Sequence, residues 1–306
     1  WLEADLKENR SKRIFLFSHY PLYVSHPTEP ESYDNIDEPG RSWLINLIET
    51  YKPEALFTAH VHNFWYDVIG ETEYYIVPST CFVRQDYSEM YRVDGGSQQG
   101  RNDTAKLGHI TLEIYEKGHV AHYHRSFAGC LADGPISAPP VVKRPHVKTV
   151  YIQNIYIDMR HAWAEELTVS PSGAVDEFRR KIARNDYPIM AIWEMGIRGL
   201  RVPIQDLEDE KTRRRMGLMR DVGHNFHVYV YDIPTVEQIS LIRENTTLIS
   251  QLEIVISWDK INEYLKVLND LTNRFGLDII LSRVNRNDSA KTSGGKFNHL
   301  ISHGFS

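Results

Sequence analysis

Apolar residues run through this chain in two rhythms. Between Arg13 and Phe127, apolar stretches of strand length alternate with polar loops. The runs RIFLFSH, EALFTAH, YYIVPS, GHITLEIYE and HVAHYHRSF each read as a strand, and EKG joins the last two as a hairpin. One segment breaks the pattern: in RSWLINLIETY, the residues Trp43, Leu44, Leu47, Ile48 and Tyr51 recur at helical spacing and predict one apolar face. A second amphipathic helix, WLEADLKENR, is already under way at Trp1 with no capping residue before it, which reads as a chain cut upstream.

Periodicity disappears in AGCLADGPISAPPVVKRPHVK, where proline, glycine and small residues cluster. This break predicts a linker at 128–148, separating a domain over 1–127 from a second over 149–306. In the second, the β-branched runs GLRVPI, NFHVYVYD, QLEIVIS and LDIILSRV recur at near-regular spacing. Helical segments lie between them: DEKTRRRMGLMRDVG, VEQISLIREN and DKINEYLKVLNDLTNRFG. Such alternation predicts a parallel sheet, open or closed as a barrel, and continuous apolar strands fit a sheet covered on both faces. The run PIMAIWEM stands too close to GLRVPI for a helix between them, so one of the two is expected to be loop. The chain stops at FNHLISHGFS, about where another strand would fall and too early for eight strands, so this β/α-repeat domain is expected to be a partial, TIM-barrel-like one. The fold class is α/β.

Composition narrows the function. With 306 residues, 42% of them hydrophobic and 25% charged, the chain is long and apolar enough for two globular domains. A formal charge of -6 carries no nucleic-acid footprint, since duplex binding calls for a clustered basic face, and a small-molecule partner is expected instead. Two cysteines, Cys81 and Cys130, are too few for a disulfide framework. No apolar run approaches the roughly 18–20 residues of a transmembrane helix.

The candidate chemistry lies in the histidines. LFSHYP and LFTAHVH repeat one design, an apolar strand, a small residue and then histidine, which delivers His19, His60 and His62 to one carboxyl edge of a sheet. Imidazoles suit zinc, iron, manganese or nickel, and two such ions close together can clamp a phosphate and activate water.

These segments resemble the late motifs of the calcineurin-like metallophosphoesterases, a superfamily that includes purple acid phosphatases and class III cyclic nucleotide phosphodiesterases. There a strand ends in histidine near a proline, and Gly-His-x-His follows some tens of residues later. Here the motifs read SHYP and AHVH, with Ala59 in place of the glycine, and WLEADLKEN resembles the helix that precedes them. The resemblance implies that residues 1–127 are the carboxyl-terminal half of a metallophosphoesterase α/β sandwich. It makes His19 and His60 ligands of one ion and His62 a ligand of the other, in a site holding two divalent or trivalent ions of Mn, Fe or Zn. It implies hydrolysis of a small-molecule phosphate ester by a hydroxide bridging those ions, with Tyr20 or the loop from Tyr23 to Pro39 walling the substrate pocket. The family's early motifs, Asp-x-His, Gly-Asp-x-x-Asp and Gly-Asn-His-Asp/Glu, are absent, and Gly-Asp occurs nowhere. The resemblance places them, with the histidine that protonates the leaving group, upstream of Trp1. Three histidines divided between two ions leave each ion short of ligands, so the chain alone is expected to be a poor catalyst or none.

Other clusters read more plainly. His122 and His124 share one strand face beside the hairpin turn and, with His109 and His119, are expected at a surface rather than around a metal. His224 and His227 stand at the amino end of their strand, away from the usual active edge. Glu194, Asp232 and Arg283 fall at or near carboxyl ends of expected strands, where an acid and base pair would act on a glycoside, but with no recognisable motif around them they read first as structural groups such as helix caps. They support the alternative that the first domain is a non-catalytic scaffold and the β/α domain carries a carbohydrate-related function.

Overall fold

The computed structural model describes residues 1–87, 90, 103, 106–125, 152–159, 163–171, 180–256, 261–284 and 303–305. The linker expected at 128–148 lies outside the described residues. The chain divides into two compact units, one of Trp1–Lys148 with Trp163–Met195, the other of Thr149–Ala162 with Gly196–Ser306. Residues 163–195, placed by the sequence in the second domain, thus belong to the first unit. Among the described residues no helix is long and apolar enough to cross a membrane.

The first unit begins with α1 (Leu2–Glu8), β1 (Phe15–Phe17), α2 (Gly40–Tyr51) and β2 (Ala55–Thr58). Strands β3 (Trp65–Ile69) and β4 (Thr72–Ile76) follow, and then the hairpin of β5 (Gly108–Ile114) and β6 (His119–Arg125). The main sheet has the order β1-β2-β4-β3, with β1, β2 and β4 parallel and β3 antiparallel to β4. Strand β3 is an addition to the expected set. It forms because NFWYDVI and TEYYIV flank a two-residue turn in which Gly70 takes φ +61, a conformation costly for any residue with a Cβ.

Helix α2 buries Leu47 and Ile48 as its spacing predicts, but Trp43 is half exposed and Arg41 is buried in its place. The Arg41 guanidinium reaches back to the carbonyls of Ile36 (2.9 Å), Pro27 (3.1 Å) and Glu29 (2.6 Å). It thereby pins the proline-rich loop between β1 and α2. The start of that loop is core: Leu22, Tyr23 and Val24 are buried with Ile48, Leu56, Val61, Trp65 and Tyr74. The Tyr74 hydroxyl donates to the Tyr23 carbonyl at 2.7 Å and accepts from the Leu22 amide at 3.0 Å. A backbone this deeply buried keeps its hydrogen bonds satisfied by such side chains.

β7 (Ile152–Asp158) belongs to the second unit, while β8 (Glu166–Val169), β9 (Lys181–Arg184) and α3 (Tyr187–Met195) belong to the first. PIMAIWEM is therefore helical, and GLRVPI is the strand. Buried Tyr187, Ile189, Met190 and Ile192 give α3 its apolar side. The β8–β9 ribbon is antiparallel and adds Val169 and Ala183 to the first core.

The second unit continues with β10 (Ile197–Pro203), α4 (Glu210–Asp221), β11 (Asn225–Tyr231), α5 (Val236–Glu244), β12 (Ile249–Ile256), α6 (Ile261–Phe275), β13 (Asp278–Val284) and β14 (His303–Phe305). The sheet order is β14-β13-β12-β11-β10-β7. All neighbours are parallel except β14, which runs antiparallel to β13. Successive strands sit side by side in chain order, so these described strands contain no reversal of order at which an open doubly wound sheet would form its ligand crevice. One face buries Leu200, Val202, Phe226, Val228, Leu252 and Ile254. The other carries Arg201 opposite His227 and Tyr229 opposite Glu253. There Arg201 makes two hydrogen bonds to the Glu253 carboxylate, at 2.6 and 3.0 Å, and a third to Asp158 at 3.0 Å.

Local capping agrees with these helices. Thr235 forms a capping box with Gln238, each side chain bonding the other's backbone amide, and Asp209 caps α4 through the Thr212 amide at 2.7 Å. Thr235→Ala is expected to cost about 1 kcal/mol, read as a lower denaturant midpoint at unchanged slope.

Candidate metal centre

The site is assembled by a register. β1 and β2 pair Phe17 with Phe57, and the chains stay bonded beyond the strands through Ser18 N–H to the Phe57 carbonyl and Ala59 N–H to the His19 carbonyl, both at 3.0 Å. This cross-bonding brings His19 and His60 together although they are far apart in sequence. Nδ1 of His60 stands 3.1 Å from Nε2 of His19, and the rings meet nearly edge-on with centroids 5.0 Å apart.

After Thr58 the chain leaves strand geometry, and His60 and His62 take positive φ values of 66° and 57°. Such angles are uncommon for residues with a Cβ and recur where a function demands them. The two side chains therefore fan out instead of lining one strand face. His62 packs against Phe82, with centroids 4.4 Å apart, rather than against the His19–His60 pair. Ala59 is not among the residues of positive φ, so the glycine of the resembling motif is not demanded here by backbone conformation.

Each of these two imidazoles has one nitrogen engaged by a backbone carbonyl. Nε2 of His60 lies 2.9 Å from the Tyr33 carbonyl, and Nδ1 of His62 lies 3.0 Å from the Phe82 carbonyl. A carbonyl can only accept, so the proton sits on those nitrogens and the lone pair is left on His60 Nδ1 and His62 Nε2. Burial holds both imidazoles below their ordinary pKa, outweighing the carbonyls that favour the charged form, while the Arg84 charge also acts against protonation. Both are neutral at pH 7, the form a metal requires. Half-exposed Tyr20 and Tyr33 flank His60, with centroids 4.1 and 4.7 Å from its ring.

The donor set fits an ion in part. Two nitrogens each about 2.1 Å from one tetrahedral zinc would stand roughly 3.4 Å apart, somewhat wider than the 3.1 Å between His19 and His60, which without an ion is a hydrogen bond from His19 Nε2–H to His60 Nδ1. Histidine ligands characteristically donate the other ring N–H to a carbonyl, as His60 does here. Yet among the described residues no group of three or more His, Cys, Asp and Glu side chains is placed to share one ion. The Tyr33 and Phe82 partners were not legible from sequence, because a backbone carbonyl carries no residue signature.

The other histidines sit apart from this site. The His119 side chain is 2% exposed, with Nδ1 2.8 Å from Glu54 and Nε2 3.3 Å from Glu73; burial disfavours its charge, but the two carboxylates outweigh it and raise its pKa. The expectation of a surface position thus fails for His119. His122 is partly exposed and bonds Glu113 at 3.1 Å, and His109 stacks on His124. Glu194, expected at a strand end, closes α3 and is bonded by Arg125 at 2.7 Å inside the first unit. Asp232 follows β11 in the second unit and caps the Ile233 amide at 2.9 Å. The Arg283 side chain lies outside the described residues. Compared with family models, curated proteins and solved structures, the chain matches none.

Proposed function

We propose that the first unit is the carboxyl-terminal half of a dimetal phosphoesterase domain, in which His19 and His60 hold one ion and His62 the other. The observation that carries this reading is the 3.1 Å approach of two imidazole nitrogens, with His60 fixed by a carbonyl in the tautomer a ligand needs. When bound, ions of Mn, Fe or Zn would polarise a phosphoric ester and supply an activated water. The chain's own contribution is to keep His60 and His62 neutral and oriented and to wall the site with Tyr20 and Tyr33. The second unit, with parallel strands in chain order, is read as part of a TIM-barrel-like domain. The substrate is read as a small-molecule phosphate ester.

Calorimetric titration of the purified chain with zinc tests this reading. The expected result is weak binding that His60→Ala and His19→Ala each abolish, because two nitrogens are fewer than a stable site needs. Binding unchanged in both variants would refute the assignment. In a longer protein that carries the whole of the proposed domain, His60→Ala is expected to remove most hydrolysis of a generic phosphodiester.

A further inference from the structure

The two carbonyls that orient the histidines are carried by separate loops, and one buried charge cluster joins those loops. Tyr33, whose carbonyl faces His60, is followed by Asp34; Phe82, whose carbonyl faces His62, stands two residues before Arg84 and four before Asp86. Arg84 bonds the Asp34 carboxylate through one guanidinium nitrogen and Asp86 through another at 2.6 Å. Lys181, from β9, bonds Asp34 and reaches Asp86 at 2.9 Å. The Tyr87 hydroxyl donates to Asp34 at 2.5 Å.

Both carboxylates are 1% exposed, Lys181 10% and Arg84 12%, so the four charges balance inside the protein. Burial pushes the Asp34 carboxyl up, but the charges of Arg84 and Lys181, with the hydrogen bonds from Lys181 and Tyr87, outweigh it and hold the group ionised. Buried pairs of this kind add little net stability compared with apolar packing. What the cluster does provide is geometry: it ties loop 20–39, loop 79–87 and a strand distant in sequence to one point.

We propose that Asp34, Arg84, Asp86 and Lys181 form a positioning cluster for the candidate metal site, fixing the Tyr33 and Phe82 carbonyls and through them the tautomers of His60 and His62. The four act on the histidines through the backbone that carries those two carbonyls. The inference rests on reading these histidines as ligands, but its readout needs no metal.

The test is nitrogen-15 imidazole spectroscopy of the metal-free chain, above the pH at which histidine is charged. The wild type is expected to show His60 as the Nε2–H tautomer and His62 as the Nδ1–H tautomer, each unmixed; exchange of either ring between tautomers would overturn the proposal at once. Lys181→Met is expected to release both into mixtures, and Lys181→Arg to retain them. The double variant Lys181→Met with Asp86→Asn removes one charge of each sign and so buries no uncompensated charge, which guards the test against unfolding of the single variant. A folded double variant with wild-type tautomers would sink the idea. Where zinc binds the wild type, the released variants are expected to bind roughly 10–100-fold more weakly. Zinc failing to bind the wild type would count against the ligand reading alone, since the tautomers are read without it.

Discussion

Arg184→Met is expected to destabilise the first unit by about 3–5 kcal/mol, the cost of leaving a buried charge without its partner. Arg184 is 6% exposed and sits where β9 crosses the first core. It donates to both Asp186 oxygens, at 2.6 and 3.0 Å, and to the carbonyls of Ser25 (3.1 Å) and Tyr66 (3.0 Å), with Asp67 3.7 Å away. Its own amide donates to the Ser25 hydroxyl at 2.8 Å, and its carbonyl accepts from the Trp65 indole at 2.7 Å. Methionine fills much of the volume but leaves the Asp186 carboxyl, at 0% exposure, without its cationic partner and two carbonyls without a donor. Against a typical total of roughly 5–15 kcal/mol, this loss moves a urea midpoint far. Adding Asp186→Leu to Arg184→Met is expected to recover part of it, and a shift under about 1 kcal/mol for the single change would contradict the account.

Acidification should weaken the second unit through His224. This side chain is 1% exposed, and burial, together with the charges of Arg198 and Arg215, pushes its pKa from 6.5 down to about 3. Arg198 donates to its Nε2 at 3.1 Å, which requires the neutral ring. The folded pKa lies below the unfolded one, so the unfolded chain takes up the proton first. Stability is complete above pH 6.5 and falls as the pH drops from there towards 3. Between pH 7 and pH 5 the loss attributable to His224 is about 2 kcal/mol. It is measured as the difference between wild type and His224→Gln in denaturant unfolding at the two pH values. Equal pH dependence in both proteins would show that His224 does not remain neutral.

Much of the architecture was legible because local pattern and tertiary fold agree. In the second unit, NFHVYVYD and QLEIVIS are strands, and helices α4, α5 and α6 lie between successive strands from β10 to β13, as the alternation predicts. The failures have separate causes. β3 was hidden because WYDVI has a mixed pattern yet buries Trp65, Tyr66 and Asp67, the last near the Arg184 cluster, so periodicity gave no warning. PIMAIWEM is apolar at every position but Glu194, and a short run of that kind cannot be assigned to helix or strand by period. Trp43 and Arg41 exchanged their expected places because Arg41 finds three backbone carbonyls inside, which hydropathy does not count.

By itself the sequence determined the α/β class, strands β10–β13 and helices α4–α6 of the second unit though not its β7, and the three histidines that merit attention as a group. These follow from side-chain type and spacing along one segment, which act locally. Only the tertiary structure decided that residues 163–195 join the first unit, that His19 and His60 meet at 3.1 Å, and that His62 turns to Phe82. It alone placed Asp34, Arg84, Asp86 and Lys181 around one point. Those outcomes depend on strand register, on positive backbone angles and on carbonyls, and backbone groups are chemically the same at almost every residue. No single segment encodes them; they appear when distant segments close on one another.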